Sequence, residues 1–502
     1  MKNKNIDLPL MIISLILILV VVVLLSIFPV EGTEFISDLF TKVTDSGGVF
    51  ILWFGLLVFV YCLFMAFSRY GKIRLGDSDT KPDFTMFQYA AMMISAGLGA
   101  AFIIWSFVEW AYYYSTPALG IEPFSELAAE WASAYNFFHW GFTPWAMFVI
   151  AAIPVSYAYY VRKVPALRFS TICESMLGEK PYVKPLCKLI DFSFVFCVVG
   201  GLSVTLGLGI PVIADGLGRI FGFTPNFAVN VIVTLAIATI FSLSSYIGIG
   251  KGMKNLSTWN MRIAIVFILA VLFTGPTNFI LKQLTNGIGL MLQNYLRISL
   301  WTDPVVNGGF PEAWTIFFYA FGIVYATLMA LFITKISKGR TMRQMICSVI
   351  FGGGGGSIIF FGINGSFSMD LQLTGKMDVV TSLFEKGNSA TIISVLDNTV
   401  FGLLGVVAFV IMLTLFLATS LDSAAFSLSA TSTKVLKEGD ETSPMLRLFW
   451  CITLALVPLC MNFIGAPLAT LQTITIVTSL PFIFVLIGMT KGMFTWLKED
   501  GR

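Results

Sequence analysis

Residues Leu8–Val30, LPLMIISLILILVVVVLLSIFPV, carry no charged side chain. A helix rises 1.5 Å per residue, so about 20 such residues cross roughly 30 Å of hydrocarbon. The run is longer than the roughly 7–15-residue core of a signal peptide, and it lacks a small-residue cleavage site. It predicts a retained first membrane span behind the charged start Lys2 and Lys4.

The same window yields eleven further candidates: Gly48–Phe67, Phe87–Tyr114, Tyr135–Val161, Leu189–Ala214, Asn226–Ile247, Trp259–Ile280, Phe310–Thr334, Met342–Ile363, Val400–Ala430, Leu446–Ile464 and Leu468–Thr490. Hydrocarbon offers no partner to free N–H and C=O groups, so the spans are read as helices. The ten-residue alternation of barrel strands is absent. Composition agrees. The chain is 57% hydrophobic and 12% charged, against roughly 45–50% and about 25% for soluble domains. That excludes a soluble enzyme, a disordered scaffold and a nucleic-acid binder. A net charge of +3 and a single His leave no basic recognition face and no His-rich metal centre. The seven cysteines are scattered, without metal-ligand spacing, and read as small apolar residues. No resident cofactor is expected.

Lysine and arginine accumulate in cytoplasmic loops. With the N-terminus inside, only Lys42, Arg219, Lys282, Arg297, Lys376 and Lys386 fall outside, which leaves 25 of the 31 basic residues inside. The reading is a multi-pass protein of the inner (plasma) membrane with both termini cytoplasmic. Residues 281–299, LKQLTNGIGLMLQNYLRIS, alternate apolar and polar faces and predict an amphipathic interfacial helix.

Breaks in the apolar pattern carry the functional information. The third span contains Ser95–Ala101, SAGLGAA. These small residues permit either a close helix crossing or a local unwinding whose freed carbonyls meet an ion. The tenth contains Phe416–Ser423, FLATSLDS, where the Thr419 and Ser420 hydroxyls can ligate a hard cation such as sodium or bond carbonyls one turn back. Asp422 at this depth calls for a cavity or a partner. Aromatic residues crowd Trp105–Tyr114 (WSFVEWAYYY), Phe138–Trp145 (FHWGFTPW) and Trp314–Tyr325 (WTIFFYAFGIVY). Interface belts account for many aromatic residues singly. Trp140 and Trp145, however, flank a Gly and a Pro, which suits indole faces turned into an irregular cavity. Such faces hold a quaternary ammonium for ~0.5–2 kcal/mol each. His139 reads as a hydrogen-bonded packing residue. The run Phe351–Gly356, FGGGGG, lacks the GK[ST] of a phosphate loop and reads as a close crossing or a kink.

Together FHWGFTPWA, SLWTDPVVNGGFPEAWTIFFYA, ITKISKGRTMRQ and ATSLDSAAF resemble the betaine/choline/carnitine transporter (BCCT) family. The resemblance covers nearly the whole chain. It implies an all-α integral membrane protein with twelve transmembrane helices in a LeuT-like fold. Residues 1–86 would hold two leading helices, 87–280 and 310–490 two five-helix inverted repeats, 281–309 the interfacial helix, and 491–502 a short tail. The third and eighth spans would be discontinuous, and the protein a homotrimer in membrane lipid. The implied substrate-binding residues are Tyr112, Trp140, Trp145, Phe321, Tyr325 and Met329, with Trp314 as an outer aromatic. Phe321 and Gly322 stand where the family usually has two tryptophans, which removes two indole faces and enlarges one wall. The implied sodium ligands are the Ser95, Leu98 and Phe416 carbonyls and the Thr419 and Ser420 hydroxyls. Sodium-independent exchangers of the family carry an Arg where this chain has Asn260, whereas Met329 matches the exchanger branch.

The expected function is secondary transport of a betaine-like quaternary ammonium or N-methylated amino acid, coupled to sodium. Sodium-independent substrate/product exchange is the alternative. A membrane enzyme or receptor would need a polar catalytic cluster or an appended soluble domain, and the sequence displays neither.

Overall fold

The computed structural model describes residues 5–97, 99–247, 249–464 and 468–502. The first part of the chain forms α1 (Leu8–Ile27), α2 (Pro29–Phe67), α3 (Met86–Gly97), α4 (Gly99–Ser115), α5 (Glu126–Trp140), α6 (Phe142–Ser156), α7 (Phe169–Leu177), α8 (Val183–Phe221), α9 (Phe227–Ile247) and α10 (Lys254–Thr274). Then come α11 (Thr277–Gln293), α12 (Tyr295–Leu300), α13 (Phe317–Ile336), α14 (Met342–Cys347), α15 (Gly354–Leu373), α16 (Val379–Asp397), α17 (Leu403–Thr431), α18 (Pro444–Ile464) and α19 (Leu468–Glu499). Among the described residues the only strand-like pairings are two isolated antiparallel bridges, Ile6 with Thr433 and Arg74 with Thr341.

Nine described helical stretches are long and apolar enough to cross a membrane, or ten when the bent pair Met86–Ala96 and Gly99–Ser115 counts as one span. Two shorter apolar helices, Leu8–Val20 and Pro444–Val457, fall on the remaining expected segments. The seven cysteines form no disulfide.

Local chemistry sets the helix ends. Ser125 accepts a hydrogen bond from the Ala128 N–H to cap α5, and Thr341 and Gln344 form a reciprocal capping box on α14. The fourth span is interrupted between the two tryptophans. At Gly141 the backbone leaves helical geometry (φ −87°, ψ −134°), which ends α5 at Trp140 and starts α6 at Phe142.

The third span bends by 69° at the SAGLGAA sequence, the sharp break the small residues allow. The eighth differs from expectation. Pro311–Ile336 is a single uninterrupted helix whose first turn, Pro311–Ile316, is π-helical. After Pro311 its apolar run contains no further proline, and Gly322 is helical and packed against Met147. The second span also starts earlier than Gly48, since α2 begins at Pro29. The helix expected over 281–309 begins at Thr277 as α11 and is followed by α12.

Every residue of the most apolar window of the eighth span is buried, which places this helix at the centre. Its most extensive partner is α6. On one face of the bundle, Asn5–Asp7 pair with the α17–α18 connection. Lys434 N donates to Asn5 O at 2.8 Å, and Asp7 N donates to Ser432 O at 2.9 Å. Asp7 also pairs with Arg168 at 2.8 Å, and the same guanidinium binds Asp191. Nearby, Glu438 pairs with Lys163 at 3.0 Å and Lys338 at 3.2 Å.

Candidate functional site

Helical spacing puts Trp314, Phe318, Phe321, Tyr325 and Met329 on one stripe of the eighth span, successive members about one turn apart. The stripe meets α4, α5, α6 and α8. Trp314 lies 5.5 Å from Tyr112 and 4.8 Å from Tyr113, ring centre to ring centre. Phe318 stacks on His139 at 4.8 Å and meets Trp140 edge-on at 5.2 Å. Phe321 lies 5.6 Å from Phe317 and 4.7 Å from Tyr325. Tyr325 then reaches Phe148 at 6.0 Å, and Phe148 reaches Trp145 at 5.3 Å. The rings thus form one continuous chain from Tyr112 to Trp145. It joins six of the seven expected substrate residues. Met329, the seventh, is fully buried further along the same stripe.

Within the chain the roles differ. Tyr112 is half-buried in an outer layer with Trp314, Trp105 and Phe384, and its hydroxyl donates to Asn388 Oδ1 at 2.9 Å. Trp140 is enclosed. Its ring stacks on Phe361 at 4.9 Å, and its Nε1–H donates to Glu109 Oε2 at 2.8 Å. Trp145 donates from Nε1 to Ser357 Oγ at 3.1 Å. Its ring lies so close to Gly353 that a Cβ there would collide with the indole. The FGGGGG run is therefore a close crossing. Tyr325 shares a 2.5 Å hydrogen bond with Thr205.

Gly322 faces α6. A Cβ at this position would come within 3.1 Å of the Met147 side chain. With no side chain at Gly322, Met147 of α6 lies against this part of α13.

The sequence reading did not single out Glu109. It is fully buried in α4, and Tyr113 Oη donates to its Oε1 at 2.6 Å. Tyr113 Oη also lies 2.8 Å from His139 Nδ1, and His139 Nε2 lies 3.0 Å from Thr315 Oγ1. With both ring nitrogens engaged, His139 is the packing residue expected. The signal for Glu109 was present as a lone acid inside an apolar span.

The candidate ion ligands converge at the bend. Ser95 O lies 3.3 Å from Thr419 Oγ1 and 3.2 Å from Ser420 Oγ. Thr419 Oγ1 is 2.9 Å from Phe416 O and 3.0 Å from Leu415 O, so it also makes the one-turn-back contact of a membrane threonine. Leu98 lies outside the described residues. These neutral oxygens suit a hard monovalent cation. The partners of Asp422 are Ser244 and Ser245, whose hydroxyls donate to Oδ2 and Oδ1, each at 2.6 Å. Asp422 therefore tethers α17 to α9. Ser203 and Thr205 bond carbonyls in their own helix at 2.7 and 3.5 Å.

A many-span helical protein with buried aromatic and oxygen-rich sites at a helix break has the make-up of a membrane transporter. The BCCT description, betaine/carnitine/choline family transporter, matches residues 9–502, and the chain belongs to that family. It is 36% identical over 476 residues to a carnitine transporter of Acinetobacter baumannii, covering 95% of this chain and 86% of that protein. It is 32% identical over 463 residues to the glycine betaine transporter OpuD of Bacillus subtilis, covering 92% and 88%. It is also 38% identical over 445 residues to the uncharacterized transporter YeaV of Escherichia coli, covering 89% and 92%.

Proposed function

We propose that this protein is a secondary transporter that carries a betaine-like quaternary ammonium or an N-methylated amino acid, driven by inward sodium. The observation that carries the reading is the meeting of Ser95 O with the Thr419 and Ser420 hydroxyls, at a break that leads directly into α4 and its aromatic residues. A quaternary ammonium has no N–H to donate, so aromatic faces are the chemistry that recognises it. A cation held between α3 and α17 would brace the bend, so ion and solute would favour the same state. The relatives' printed names, carnitine and glycine betaine transporter, support this substrate class.

The architecture belonging to this reading has twelve spans in a LeuT-like arrangement, the inverted repeats at 87–280 and 310–490, and three copies in the inner membrane with both termini cytoplasmic. A second reading, sodium-independent exchange, is favoured by Met329. Asn260, a neutral side chain, stands against it.

Uptake of labelled glycine betaine and carnitine into proteoliposomes, with and without an imposed sodium gradient, separates the two. Sodium-stimulated uptake supports symport. Uptake indifferent to sodium but dependent on solute loaded inside would establish exchange.

A further inference from the structure

Glu109 is a buried carboxyl group with neutral neighbours. Its oxygens accept from Tyr113 Oη at 2.6 Å and Trp140 Nε1 at 2.8 Å. Among the described residues no lysine or arginine forms an ion pair with it. The histidine one step away does not supply the charge either. When Tyr113 donates to Glu109, its oxygen is free to accept from His139 Nδ1–H. His139 Nε2 then accepts from the Thr315 hydroxyl, and the imidazole is neutral. Two neutral hydrogen bonds recover only part of the cost of burying a carboxylate in a low-dielectric interior. Unpaired ionisable groups at this depth normally meet a ligand or a mobile charge.

The carboxylate is joined to the edge of the ring whose face is the candidate ammonium contact. Hydrogen-bond donation from an indole N–H to an anion pushes electron density into the ring, which makes its face a better cation acceptor. The same anion attracts a cation directly, across a distance that water does not screen. Both effects favour positive charge. Neither favours an uncharged solute of the same shape.

We propose that Glu109, ionised when a cationic solute is bound, is the counter-charge of the substrate site and makes it selective for solutes bearing a permanent cation, acting on the ligand through Trp140. This rests on the quaternary-ammonium reading above and deepens it. It assigns the charge requirement to one residue rather than to aromatic faces alone.

The test compares choline with its uncharged isostere 3,3-dimethyl-1-butanol, using binding to the purified full-length protein in lipid nanodiscs. Wild-type protein is expected to prefer choline by at least about tenfold. Glu109→Gln keeps the size and one acceptor oxygen and should bring the two ligands to within a few-fold of each other. Tyr113→Phe, which removes a hydrogen bond but leaves the charge, should retain the preference. Equal weakening of both ligands in Glu109→Gln would assign a merely structural role and overturn the proposal. An unchanged preference would do the same. Should Glu109→Gln fail to fold, the choline-induced infrared difference spectrum of the wild type decides. Carboxylate bands support the proposal, and a protonated carboxyl band in the bound state overturns it. Wild-type protein that binds neither choline, glycine betaine nor carnitine overturns the quaternary-ammonium reading and this one together, whereas binding with an unaltered charge preference in Glu109→Gln overturns this one alone.

Discussion

Trp145 of α6 rests its indole on Gly353, where any side-chain carbon would overlap the ring, and anchors its N–H on Ser357 one turn further along the same chain segment. The position of this tryptophan is therefore set by α15 as much as by its own helix. Gly353→Ala should lower thermal stability by about 1–3 kcal/mol, the usual cost of overpacking. Gly352→Ala is the control, because a Cβ there meets nothing within 4 Å. It should be neutral or slightly stabilising. Melting curves in detergent check the pair, and equal effects at the two positions would contradict the crossing.

Thr419→Ala combined with Ser420→Ala removes both hydroxyls facing Ser95 O. Sodium stimulation of uptake should be abolished, while the melting temperature without sodium stays within a few degrees of wild type. Retained stimulation would remove these oxygens from the ion site.

Trp140→Ala deletes an enclosed ring from the aromatic chain. Binding of a quaternary ammonium should weaken by ~0.5–2 kcal/mol for the lost face, read by titration calorimetry on the folded variant. Near-wild-type affinity would show that the solute sits elsewhere.

Asp422→Asn keeps the shape of the side chain but turns one acceptor into an NH₂ group. Ser244 and Ser245 both donate to the carboxylate, so one of these bonds must be lost or reversed. The expected cost is ~1–3 kcal/mol. Combining the variant with Ser244→Ala and Ser245→Ala should show strong non-additivity in a double-mutant cycle. Simple additivity would mean that the tether contributes little.

Glu438 gives a pH dependence. Burial pushes its carboxyl up, but the hydrogen bonds and charges of Lys163 and Lys338 outweigh burial and hold it below the usual range. Its folded value is below its unfolded one, so the stabilisation is complete above the ordinary carboxylate range and disappears as pH falls through the folded value. The contribution is small, ~0.2–1 kcal/mol for half-exposed pairs. Wild type and Glu438→Gln should differ in melting temperature at pH 7 and converge on acidification. An offset that persists unchanged into acid would mean that the charge is irrelevant.

The local features of the candidate site were legible in the sequence. SAGLGAA permits a sharp bend wherever it occurs, and Thr419-Ser420 are the right atoms for a hard cation. The tryptophans around Gly141 mark an interruption that the backbone then makes. Pairings between distant segments were not legible. Ser244 and Ser245 lie more than 170 residues from Asp422, and nothing in periodicity links them. Glu109 was hidden by the aromatic residues around it, although it is what holds the Trp140 indole. The expected break in the eighth span came from likeness to a family and not from the residues, whose apolar run has no interruption beyond one well-packed glycine.

The bridge between Ile6 and Thr433 has a practical consequence. The chain's beginning is stitched to the same connection that closes the helix bearing Thr419 and Ser420. A reporter or purification handle fused ahead of Asn5 is therefore expected to strain that helix. A fusion after Arg502 instead loads the contacts of Asp500 with Arg162 and Tyr157. Kinetic work is better served by leaving both ends bare and labelling Cys-substituted residues in the exposed Val305–Val306 loop.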